Sequence, residues 1–135
     1  MKKMLSINYP AWAFTMSVLI IRLVFGLIML INHGIPKLMK FSTLQPKFYA
    51  WWLLDSKWSL ILVIFAEVFC SLFIILGLFT RLAAIPLVIT MLVACFGAHA
   101  TDTLVVKEMS ILYLTVFSAL LLLGAGKVSV DGMLK

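Results

Sequence analysis

Two charged residues lie inside long apolar runs: Arg22 within FTMSVLIIRLVFGLIMLI and Glu67 within WSLILVIFAEVFCSLFIILGLF. A charge in the hydrocarbon core of a bilayer costs a few kcal/mol on insertion scales, so such groups face the protein interior and find partners. Counting inward from Ile31 for the first run and from Trp58 for the second, each charge sits about 13 Å deep at 1.5 Å per helical residue. Antiparallel helices would then present a guanidinium and a carboxylate at one level, and the expectation is that Arg22 and Glu67 pair there.

A second set gathers near one end of the apolar runs: His33, Lys37, His99 and Glu108, with Asp102 nearby. Arg22, Gly26, Met29 and His33 recur at helical spacing and form one face leading from the buried arginine to that end. Glu108, Thr115 and Ser118 lie near one stripe of a later helix. With both stripes inward, a polar cavity opens at this end and closes at Arg22 and Glu67. Its candidate catalytic residues are Arg22, His33 and Glu67, and its candidate substrate-binding residues are Lys37, His99 and Glu108. Imidazole titrates near neutral pH and can both hydrogen-bond a carbonyl and exchange its proton. Lys37 would attract anions at the mouth. The plainer alternative makes the Arg22 and Glu67 pair a helix-packing device, the end residues interfacial groups, and Lys37 a side chain that snorkels to phosphate.

No metal site is expected. Two histidines without diagnostic spacing argue against haem and against zinc. Cys70 and Cys95 form no CxxC pair and read as buried small residues. No phosphate-binding glycine loop, GxSxG or HExxH is present, which argues against a self-contained hydrolase.

The elements that must position these residues follow from composition. Of 135 residues, 64% are apolar and 12% charged, and mean hydropathy is +1.19. A chain this short cannot bury so much apolar surface from water, so the bilayer is its solvent. The formal net charge is +6, but the cations are scattered among apolar runs, which fits anionic headgroups and excludes a nucleic-acid partner.

Four segments have the length and composition of spans, at about 14–33, 58–79, 82–98 and 109–125. The chain therefore reads as an all-α polytopic membrane protein, a single domain over 1–135 built as an antiparallel four-helix transmembrane bundle. Gly34 and Pro36 are expected to end or kink the first span. The turn at Thr80 and Arg81 makes the second and third spans a hairpin, and GAGKVS stops the fourth. The aromatic cluster Phe48, Tyr49, Trp51 and Trp52 marks an interfacial or re-entrant segment at about 44–54. Lys2 and Lys3 imitate a signal peptide, but the apolar run behind them is too long, contains Arg22 and lacks a cleavage site, so it is expected to stay. Four spans put both termini on one side. Lys and Arg outside the spans divide five against five, and Arg81 in its short turn, with the free amino terminus, tilts the reading toward cytoplasmic termini.

RLVFGLIMLINHGIPKL at 22–38, AEVFCSLFIILGLFTRLAAIPL at 66–87 and GAGKVSVDG at 124–132 together resemble the DoxX family of small four-helix membrane proteins. The matching positions are Arg22, Gly26, His33, Gly34, Lys37, Glu67, Gly77, Thr80, Arg81, Gly124, Gly126, Ser129 and Asp131. The resemblance implies a bacterial inner-membrane location and a redox-associated subunit, of the kind linked to thiosulfate:quinone oxidoreductase or to a terminal quinol oxidase. The chain carries no flavin, haem or dithiol signature, so its cofactor is undefined beyond a quinone, and electron transfer needs a partner subunit or a direct quinone reaction. On this reading its partners are the lipid bilayer, an oxidoreductase subunit and further copies of itself. Two other classes compete: a non-catalytic anchor or assembly factor for a partner enzyme, and a small-solute permeation protein.

Overall fold

The computed structural model describes residues 1–135 and contains helices and turns but no strand. Four helices are long and apolar enough to cross a membrane: α1 (Ala11–Met39), α2 (Ser56–Leu76), α3 (Thr80–Ala98) and α4 (Leu104–Leu123). They run alternately up and down, so both termini lie at one end of the bundle. Helix α1 packs on α2 and α4, and α3 packs on α2 and along α4. The protein is an integral membrane helical bundle.

Helix α1 does not end at His33. It passes through a π-turn at Leu30–Gly34 and continues to Met39 with Pro36 inside. The N–H of Ile35 donates to the Leu30 carbonyl, five residues back, so the helix is already widened where Pro36, which has no N–H to give, enters it. Two further π-turns, Phe65–Cys70 in α2 and Ala94–Ala98 at the end of α3, complete a set of three. Those in α1 and α3 fall toward the end of the bundle away from the termini, and the one in α2 lies in mid-helix. At the other end, Gly77 takes a left-handed conformation with φ of 72° and closes α2 before α3 begins.

The main core is Val18, Met29, Ala66, Cys70, Ile74, Ala83, Ala84, Leu87, Met91, Tyr113, Phe117 and Leu120. A smaller cluster, Leu60, Ile64 and Val68, receives Phe41, Leu44 and Phe48 from the connection between α1 and α2. That connection starts with two short helical turns and is pinned to the first turn of α2. The Ser56 hydroxyl donates to the Phe48 carbonyl at 2.8 Å, Trp51 N–H donates to Ser59 Oγ at 3.0 Å, and Asp55 caps α2 by accepting from Trp58 N–H at 2.9 Å.

Candidate functional site

Glu67 is 3% exposed in the π-turn of α2, and its carboxylate accepts a hydrogen bond from Lys37 Nζ at 2.6 Å. The meeting depends on Gly34, one turn before Lys37. A Cβ on Gly34 would stand 2.6 Å from the Glu67 carbonyl oxygen, so only glycine lets α1 lie this close to α2. The lysine stem then reaches the carboxylate, which leaves two ammonium N–H groups without partners.

Beside this pair lies a cavity of about 450 Å³ between α2, α3 and the aromatic connection. Phe48, Tyr49, Trp51, Phe65, Ile89 and Val93 supply much of its apolar wall, and Lys37, Glu67, Ser59 and His99 supply polar groups. The π-turn at Ala94–Ala98 shapes one side. Gly97 lies against the Tyr49 ring, where a Cβ would meet the phenol oxygen at 3.0 Å. His99 Nδ1 lies 2.7 Å from Asp102 Oδ2. A carboxylate on that nitrogen fixes the ring orientation and leaves Nε2 available.

The expected pairing of Arg22 with Glu67 does not occur. Because α1 runs on to Met39, the level of Glu67 is that of Gly34, and Arg22 lies a dozen residues away, about 18 Å along the axis toward the termini. Arg22 is 2% exposed and donates four hydrogen bonds to carbonyl oxygens: Nε to Ile74 at 3.0 Å, Nη2 to Ile75 at 2.9 Å, and Nη1 to Ala125 and Val128 at 2.8 and 2.7 Å. Two of these carbonyls lie in the last turn of α2, where that of Ile74 also accepts from the Gly77 N–H, and two belong to the chain after α4. Arg22 is thus a clasp between α1, α2 and the C-terminal segment.

The stripe Arg22, Gly26 and Met29 does face inward, with His33 half-buried at its end. The His33 ring packs edge-on to Tyr113, with centroids 5.4 Å apart, and does not line the cavity. The stripe on α4 does not face inward as expected. Tyr113, Phe117 and Leu120 take the buried face, whereas Glu108 and Thr115 are exposed and the Thr115 hydroxyl donates back to the Ile111 carbonyl. Three of the six candidate residues therefore come together at the cavity: Lys37, Glu67 and His99. Tyr49 and Trp51 were identified in sequence only as an interfacial belt. Their spacing to Ser56 and Ser59, which tie the connection to α2, was the available signal.

No group of three metal-ligating side chains is assembled anywhere in the chain. The family model described as DoxX matches residues 17–100, a stretch holding most of α1, all of α2 and α3, and every side chain that lines the cavity. No curated protein and no solved structure matches the chain.

Proposed function

The chain belongs to the DoxX family, and on that premise we propose that it is the quinone-binding membrane subunit of an oxidoreductase system. The observation that carries this reading is an apolar, aromatic-walled cavity with an ammonium group on its wall, held by a carboxylate at 2.6 Å and retaining free donors. A quinone head is a flat ring with carbonyl acceptors, and pockets of a few hundred Å³ suit such a ring. Lys37 would donate to one carbonyl. His99, oriented by Asp102, would exchange a proton at the ring oxygen, and Tyr49 and Trp51 would cover the ring faces. Reduction of the ring takes two electrons and two protons. This chain holds the ring and moves protons, and the electrons come from a partner subunit. Arg22 has no place in this chemistry, since it acts on backbone carbonyls at the other level. The same proposal places both termini in the cytoplasm of a bacterial cell, on the strength of Arg81 in its short turn.

A second reading makes the Lys37 and Glu67 pair a packing device in an anchor for a partner enzyme, since each neutralises the charge of the other. Binding of a short-chain quinone to the purified protein separates the two, followed by quenching of Trp51, which lines the cavity. Losing a hydrogen bond from a charged donor costs about 1.5–3 kcal/mol, so Lys37→Gln should weaken binding by roughly 10- to 100-fold. Lys40→Gln should leave it unchanged. Absence of saturable quenching in the folded wild type would leave the anchor as the reading.

A further inference from the structure

At the end of the bundle that carries the termini, a groove of about 1100 Å³ opens between the start of α1, the start of α3 and the C-terminal segment. It is separate from the quinone cavity and shares no residue with it. Three cations border it, Arg81, Lys127 and Lys135, against a single acid, Asp131. Asp131 is already engaged: its two oxygens accept from the N–H groups of Phe79 and Thr80 at 2.8 and 3.0 Å. Neither lysine has an acidic partner.

Arg81 is held in place rather than trailing into solvent. Its Nη2 donates to the Leu122 carbonyl at 3.2 Å, and its guanidinium lies on Gly124, where a Cβ would approach Nε to 3.3 Å. Its other N–H groups have no acceptor. The hydroxyl of Thr80, buried at the edge of the same groove, also lacks a partner. The remaining walls are apolar: Phe79, Leu82 and Leu123 continue from the groove onto the exposed, lipid-facing flank of the bundle.

We propose that this groove is a binding site for an anionic phospholipid, whose phosphodiester lies among Arg81, Lys127 and Lys135 while its acyl chains run down over Leu82 and Leu123. A free phosphate satisfies the cations equally well but leaves the apolar walls bare, so the lipid is the occupant that fits both halves of the lining. The site also bridges α3 and the C-terminal segment, which Asp131 joins through the Phe79 and Thr80 N–H groups.

The test is native mass spectrometry of the full chain in detergent, titrated with phosphatidylglycerol or with phosphatidylcholine. Wild type should retain phosphatidylglycerol preferentially. Each lost cation should weaken retention by roughly fivefold, so Arg81→Gln with Lys127→Gln should weaken it by roughly 25-fold, with Lys40→Gln at the far end without effect. Lys127 makes no side-chain contact on which the fold depends, so Lys127→Gln alone carries the test should the double variant fail to fold. Equal retention of the two lipids, or wild-type retention by the folded Lys127→Gln variant, overturns the proposal. Displacement of the lipid by millimolar inorganic phosphate overturns it in favour of a free-anion site.

Discussion

Gly34 lies against the backbone of Glu67 so closely that a Cβ at position 34 would approach the Glu67 carbonyl oxygen to 2.6 Å and its carbon to 2.8 Å. Both residues sit in π-turns, one in α1 and one in α2. The widened turns rotate each helix locally, and the missing side chain lets the two axes close. The Lys37 and Glu67 bond is a consequence of that approach, because the carboxylate is otherwise out of reach of the opposite helix.

Replacing Gly34 with alanine should therefore act at a distance of one turn. The obstacle is backbone, not the end of a flexible side chain, so α1 must move away from α2 at a cost of about 1–3 kcal/mol. A lower apparent melting temperature together with weaker quinone quenching is the expected pair of effects. Gly26→Ala provides the comparison, since its nearest obstacle is the Ile75 side chain near the opposite end, and it should lower stability while leaving quinone affinity intact. Equal loss of quinone affinity in both variants would show that the Gly34 contact has no special link to the cavity.

Arg22 makes a different kind of prediction. A guanidinium can reach four carbonyl oxygens because its donors are spread in a rigid fork, and an ammonium cannot. Arg22→Lys should thus fail to rescue what Arg22→Gln loses, which is at least about 3 kcal/mol from carbonyls left unpaired. The clasp holds the segment after Gly124, so the first sign should be faster proteolysis and hydrogen exchange over residues 124–135. An Arg22→Lys protein with a protected C-terminal segment would remove the fork from the explanation.

The spans were legible because twenty apolar residues with one charge have few other fates, and the four helices follow from that alone. The inward face of α1 was legible as well, from the spacing of Arg22, Gly26 and Met29. The level of those residues was not. Depth was counted from a helix end placed at the Gly34 and Pro36 pair, and a π-turn at that point carries α1 on to Met39. The resulting offset, a dozen residues or about three turns, exchanges the partners of Arg22 and Glu67. The outward turn of Glu108 was missed for a related reason: polar spacing on α4 was weighed, while the larger volume of Tyr113, Phe117 and Leu120 decides which face is buried. The role of GAGKVSVDG as a segment folded back over the turn between α2 and α3 needed the contacts themselves.

That segment supplies the cap of α3. Phe79 precedes the helix with a positive φ of 47° and offers no capping side chain, and Asp131, distant in sequence, accepts from the Phe79 and Thr80 N–H groups instead. A carboxylate at this position also meets the positive end of the helix dipole. Asp131→Ala should cost about 1–2 kcal/mol, and Asp131→Asn, which retains one acceptor oxygen, should cost less. Hydrogen exchange at Phe79 and Thr80 should rise in the same order. An unchanged rate at both amides in Asp131→Ala would mean that other groups cap α3.

The Lys37 and Glu67 pair gives the sharpest separation of stability from function. Removing one partner of a buried pair leaves an uncompensated charge and costs about 3–5 kcal/mol, whereas replacing both with apolar residues of similar volume is often neutral. Lys37→Met strands the carboxylate, which is 3% exposed, while Glu67→Leu strands an ammonium whose side chain is 24% exposed and can reach polar surroundings. Apparent melting temperatures should therefore fall most for Lys37→Met, less for Glu67→Leu, and least for the double variant. Quinone quenching should behave otherwise and stay roughly 10- to 100-fold weaker in the double variant despite its recovered stability, because the cavity then lacks the Lys37 donor. A stable double variant that still binds quinone with wild-type affinity would take Lys37 out of the binding site, and additive losses of stability would show that the two side chains do not depend on each other.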